Sequence, residues 1–219
     1  MGRFFYLMGK SASGKDTMYQ GILERMQGRL ERLVIYTTRP IREGEEDGRE
    51  YHFVDEEELV RLRNTGAIIE ERVYHTINGP WYYFTAAEAP GNRAARQPGR
   101  NVATGDEKGS REMDRLGIGT LESFVKLRDY YGKEKVFPIY IEADDIDRLQ
   151  RAIKREQKEA HPNYKEVCRR YLADEEDFSE EKLRAAGIRR RFRNQDREAC
   201  LQEICGYIEE VLSAAPHDE

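Results

Sequence analysis

The stretch that most constrains this chain is Gly9-Lys10-Ser11-Ala12-Ser13-Gly14-Lys15, which fits G-x-x-x-x-G-K. A short apolar run, Arg3 to Met8, precedes it, and Met18, Ile22 and Met26 follow at helical spacing. Strand, glycine loop and helix in that order are the setting the motif needs. The glycines let the backbone curl so that successive N–H groups point inward, at the positive end of a helix dipole. The result is a cradle for phosphate oxygens. Gly9, Ser11, Ala12, Ser13 and Gly14 form its wall, and Lys15 reaches the outer phosphoryl group.

The residue after such a lysine is ordinarily Ser or Thr, whose hydroxyl helps hold Mg²⁺. Here it is Asp16, with Thr17 next, so Thr17 is expected to supply the hydroxyl. Asp16 either holds metal-bound water or caps the helix, and the cap is the simpler reading.

Composition removes several other classes. A net charge of -5 argues against general nucleic-acid binding. No apolar run approaches the roughly 20 residues of a membrane-spanning helix. The opening RFFYLM is too short for a secretory leader, and Cys168, Cys200 and Cys205 show no metal or redox spacing. A reducing cytoplasm is therefore expected. The charge-dense stretch from Arg148 to Arg197 reads, residue by residue, as solvated helices laced with ion pairs.

Further along, Leu33–Tyr36, Tyr51–Val54, Ile68–Ile69, residues 81–85 and residues 136–143 read as strands or extended pieces. Helices are predicted after Asp55, over 147–158, over 165–176 and over 198–212. Strand–helix alternation points to a parallel sheet with helical crossovers. Residues 86–115 are rich in Gly and Pro and poor in large apolar residues, and are expected to form a long mobile surface loop.

Tyr36-Thr37-Thr38-Arg39-Pro40, then Arg42, Gly44-Glu45, Asp47-Gly48 and Glu50-Tyr51-His52-Phe53, resemble the GMP-binding signature of guanylate kinases. That signature runs roughly T-T-R-x-x-R-x-G-E-x-[DN]-G-x-[DE]-Y-x-F. The resemblance implies an α/β fold: a three-layer P-loop core with a parallel sheet (1–36, 116–146 and 187–219), within one domain spanning 1–219. A small monophosphate-binding subdomain would occupy 37–85, and a helical lid with its following helix 147–186. It implies ATP and GMP as substrates, with Mg²⁺ accompanying the ATP.

The resemblance also assigns roles. Arg39 and Arg42 would grip the acceptor phosphate through planar forks. Tyr51 would add a donor, Glu45 would orient an arginine, and Glu70 would accept from the guanine edge, with Tyr83 and Thr85 completing the pocket. Lid arginines Arg151, Arg155 and one or both of Arg169 and Arg170 would surround the developing charge, beside Lys15. Asn194, in Phe192-Arg193-Asn194-Gln195-Asp196, falls where the family contacts the nucleotide.

The pattern departs from the family at three places. Ile35 stands where a guanine-reading serine is usual, and Phe84 where a glycine separates the pocket's tyrosine and threonine. The family's D-x-D-x-Q-G strand aligns with Leu116 to Glu122, leaving only Asp114 or Glu122 as substitute carboxylates. Two further functions therefore stay open: a kinase for another small phosphorylated acceptor, and a module that binds without turnover. Oligomeric state is not legible.

Overall fold

A computed structural model describes residues 2–76, 79–87 and 113–214. Their contacts divide the chain into two compact units, Met1–Arg32 with Met113–Glu219, and Leu33–Glu112.

The first unit is built on β1 (Phe4–Met8), the run whose every residue is buried. It pairs in parallel with β7 (Asp114–Gly119) on one side and β8 (Val136–Glu142) on the other. The outer strands β2 (Leu30–Arg32) and β9 (Phe192–Arg193) complete an all-parallel order β2-β7-β1-β8-β9. Because alternate side chains take opposite faces, β1 divides its residues between two cores. Phe5 and Leu7 join Met18 and Ile22 of α1 (Lys15–Arg25) and Ile204 and Ile208 of α7 (Arg197–Ser213). Phe4 stacks on Tyr131 and Tyr6 lies against Phe124, both on α3 (Leu121–Tyr131). Helices thus cover both faces, the three-layer α/β arrangement expected.

Three helices follow β8: α4 (Asp145–Glu156), α5 (Tyr164–Asp177) and α6 (Glu180–Ala185). The break at Pro162-Asn163 is a cap, Asn163 Oδ1 accepting from Glu166 N at 3.1 Å.

The second unit has a mixed sheet of order β4-β3-β6-β5, from β3 (Tyr36–Thr37), β4 (His52–Phe53), β5 (Ile68–Thr76) and β6 (Gly79–Ala86). Its small core is Leu59 and Leu62 of α2 (Glu56–Asn64) against Phe84. Asp55 caps α2 through Glu58 N at 2.8 Å, as its spacing predicts.

Two expectations shift. The strand read at Leu33–Tyr36 is not formed: β2 ends at Arg32 and β3 starts at Tyr36, and residues 33–35 between them carry the chain from one unit to the other. The loop expected over 86–115 lies mostly outside the described residues; at its margins, Ala86 ends β6 and Asp114 and Arg115 open β7.

Candidate functional site

In the first unit the phosphate loop follows β1 at the carboxyl end of the parallel strands, where α/β sheets bind ligands. Its curl is visible in the backbone: Ala12 has φ 60 and Gly14 φ 92, both left-handed. A side chain at Gly9 would put Cβ 2.5 Å from the Ile141 carbonyl, so the loop needs glycine there for closeness rather than for φ. Ser13 Oγ is buried without a hydrogen-bond partner, a polar atom left for a ligand to satisfy. Lys15 opens α1 and is only partly covered, while Thr17 two residues further is exposed.

Asp16 does not cap the helix. Gly14 holds the N-cap position and makes no side-chain cap, so Asp16 sits in the first turn, where its charge meets the helix dipole. Asn194, buried, donates from Nδ2 to the Ser13 carbonyl at 2.8 Å and so braces the loop from behind. Arg151 Nη2 approaches the Asn194 carbonyl at 3.5 Å.

A cleft of about 530 Å³ opens between α4 and α5, with Ser11 of the loop, Arg155 and Arg170 in its lining. Arg169 and Arg170 both bond Glu166, at 2.7 Å each from Nε, and are exposed. Those bonds hold the Glu166 carboxyl at about 2, with Arg169 the larger influence. Arg169 is absent from the cleft lining and Arg170 is in it, which separates the two arginines that the sequence left paired.

The missing strand carboxylate has a structural reason. Leu116 is fully buried in the α1–α7 core cluster and Ile118 packs against it, so this face of β7 is committed to burial; on the other face a side chain at Gly119 would collide with the Tyr6 hydroxyl. Asp114 cannot substitute. It lies at the amino end of β7 and accepts from Arg3 N at 2.6 Å, whereas Gly119, at the other end, pairs with Met8 beside the loop. Glu122 is exposed and pairs with Lys126 at 2.8 Å.

In the second unit Arg39 is buried, its Nη2 held by Glu45 Oε1 at 2.8 Å and its guanidinium over the Tyr51 ring at 5.4 Å. Burial works against the Arg39 charge, but the Glu45 bond and charge outweigh it and raise its pKa; the Glu45 carboxyl is correspondingly lowered. The other Glu45 oxygen accepts from Arg42 N at 2.8 Å, and the Arg42 side chain remains exposed. Tyr51 meets Tyr83 edge-on at 5.6 Å, and burial followed by Tyr83 raises its hydroxyl. Glu70 is buried on β5, accepting from Thr85 Oγ1 at 2.8 Å across the register pair Glu70–Thr85. Arg72, not foreseen from the sequence, pairs with Glu70 at 3.2 Å.

Phe84 points away from this cluster. Alternation along β6 sends Tyr83 and Thr85 to one face and Phe84 to the other, where it is fully buried and stacks on Tyr36 at 5.2 Å. Among the described residues no group of three or more His, Cys, Asp or Glu is placed to hold a metal ion.

Comparison with known proteins points one way. The Guanylate kinase family matches residues 1–89. A guanylate kinase of Legionella pneumophila (strain Lens) is 34% identical over 87 residues, 40% of each chain. That of Anaplasma phagocytophilum (strain HZ) is 40% identical over 70 residues, 32% of this chain and 33% of the relative. The chain thus spans about two fifths of the length of the first of these relatives, and a third of the second. A crystal structure of guanylate kinase from Anaplasma phagocytophilum shares the fold at a TM-score of 0.56 and 19% identity, over 99% of this chain and 87% of that one.

Proposed function

We propose that this chain, similar to guanylate kinases in sequence over residues 1–89 and in fold over nearly its whole length, moves the terminal phosphoryl group of ATP to GMP. The observation that carries the acceptor is the burial pattern of the second unit. Among its described residues, the buried polar side chains are Thr37, Arg39, Glu70 and Thr85. A small unit buries such groups only where they are partnered or used. Three of them are positions the GMP pattern assigns to the acceptor, and Thr37 bonds the Arg39 backbone at 3.1 Å.

On this reading the loop amides and Lys15 hold the donor phosphates, with Arg155 and Arg170 offering further cations; Asn194 supports the loop. Arg39, Arg42 and Tyr51 bind the acceptor phosphate, and Glu70 with Thr85 and Tyr83 receives the base. Mg²⁺ would arrive with ATP, held chiefly by phosphate oxygens and water. A thin protein donor set suits it, since Mg²⁺ keeps several waters and takes one or two protein ligands. Thr17 would contribute a hydroxyl, as the loop motif implies. No helix among the described residues is long and apolar enough to cross a membrane, and a cytoplasmic site of action accords with a nucleotide substrate.

An ADP-release assay across GMP, AMP, UMP and a sugar phosphate tests the reading. GMP is expected to be the best acceptor. A different best acceptor would leave a phosphotransferase but remove the guanylate assignment. The apolar commitment of Leu116 and Ile118 favours a second reading, a module that binds both nucleotides without turnover. Binding of ATP and GMP with no ADP released would select it.

A further inference from the structure

One residue in the charge run of α4 and α5 is not solvated. Arg148 is 2% exposed, among the most deeply buried charged residues described. Its Nε donates to the Ser11 carbonyl at 3.2 Å, and Nη1 reaches Asp145 at 2.7 Å and Glu175 at 3.3 Å. Nη2 reaches Asp174 at 3.3 Å, and the guanidinium lies over the Tyr171 ring at 5.1 Å. Asp174 in turn accepts from Ser11 N at 2.7 Å and Ser11 Oγ at 3.2 Å, while Glu175 binds Lys10 Nζ at 2.7 Å.

This cluster is the attachment of both helices to the phosphate loop. Arg148 is the only buried residue of α4, and α5 buries none. Apart from Phe178, which caps α5 and stacks on Tyr140 at 5.7 Å, apolar burial contributes little to their position. A buried ion network is a poor source of stability compared with packed apolar side chains, yet its fork geometry fixes orientation closely. Helical periodicity extends that fixing along each helix. Arg155 is two turns beyond Arg148 and Arg170 one turn before Asp174, so each shares a face with its anchor. All four residues and Ser11 line the same cleft.

We propose that Arg148 and Asp174 are positioning residues that pin α4 and α5 to the phosphate loop, so that Arg155 and Arg170 face the phosphates bound there. The proposal rests on the phosphoryl-transfer reading above, but its test does not depend on turnover. ATP affinity is measured by calorimetry without acceptor, for Arg148→Met, Arg148→Lys and Arg155→Ala, alone and combined. Arg155→Ala alone is expected to weaken ATP about tenfold, as for a lost charged hydrogen bond. In the Arg148→Met background the same change should cost at most about twofold, because the helix is already misplaced and the two effects do not add. Arg148→Lys should recover part of the loss, since lysine keeps the charge without the fork. In turnover, Arg148→Met should lower kcat while KM for GMP stays the same.

A merely structural role would lower the unfolding midpoint, leave kcat intact and give additive losses. That pattern overturns the proposal, as does an ineffective Arg155→Ala in the wild-type background. Should Arg148→Met fail to fold, Asp174→Asn, at a side chain 13% exposed, carries the same cycle with Arg170→Ala. A wild-type chain that binds ATP but phosphorylates no monophosphate would remove the kinase reading and leave this cycle decisive. A chain that binds no ATP removes both.

Discussion

On the proposed function, Glu70 would carry the discrimination between bases. Guanine presents two donors along one edge, N1–H and the 2-amino group, and a carboxylate accepts from both; adenine presents an acceptor at N1. A site built to hydrogen-bond a group rejects analogues lacking it strongly, so GMP is expected over AMP by at least a factor of about 10² in kcat/KM. Glu70→Gln should remove most of that preference and leave ATP affinity unchanged; AMP equal to GMP in the parent chain would refute the assignment. Lys15→Met tests the donor side: kcat should fall by at least about 10²-fold while the unfolding midpoint holds, as for a lost preorganised cation. Glu166 gives a pH test. Its carboxyl is held at about 2, below the ordinary glutamate value, so its bonds to Arg169 and Arg170 contribute above that ordinary value and are lost as pH falls toward 2. The side chain is about one third exposed, so the contribution is small and screened. A carbon-detected titration of Glu166 should show the low midpoint; one near the ordinary value would mean that both arginines are already free of it. Arg39 was legible because a dense signature numbers its residues one by one, and Glu70 because the resemblance implies a glutamate further along. Arg148 was not, because an arginine among charged neighbours carries no sign of burial, and the exposed Ile146 and Ile153 on the same helix point the wrong way.

At the scale of elements, β7 separates what the pattern expects from what packing permits. The sequence shows that no carboxylate follows the family spacing; only the fold shows why none fits on that face. Ile118→Asp, which sets a carboxylate on the apolar face of this strand, should therefore not raise activity. It should cost about 2 kcal/mol of stability, the order expected for burying an uncompensated polar group, read as a lower denaturant midpoint. An active Ile118→Asp of parental stability would mean that the face is open to metal and nucleotide. β6 teaches the converse. Phe84 stands as a departure because a linear pattern sets it between Tyr83 and Thr85, yet the period of the strand turns it into the unit's own core. Strands β1 and β8 and helices α1, α2 and α7 were readable from periodicity alone. The change of unit near Leu33 was not, since an uninterrupted apolar run conceals where one sheet stops and another starts.

Across the whole molecule, sequence likeness and structural likeness cover different lengths. The family match ends at residue 89, whereas the fold is shared over 99% of the chain. The part beyond that match holds α4, α5 and the ion network, where the proposed function would depend on the placement of a few cations rather than on a fixed string of residues. Such a region diverges in sequence while its architecture persists, since solvated charged helices tolerate substitution wherever no anchor is involved. The two compact units also allow the two substrates to be followed separately. A ligand that binds only the native state raises the opening free energy of the region holding it. ATP alone is therefore expected to slow amide exchange in the phosphate loop, α1, α4 and α5, and GMP alone to slow it in β3, β5 and β6. A saturating excess of about 100 Kd corresponds to roughly 2.7 kcal/mol of protection at amides that exchange by opening of the liganded region. GMP protecting only the phosphate loop would reveal a second donor-site nucleotide rather than an acceptor, and the division of labour between the units would fall.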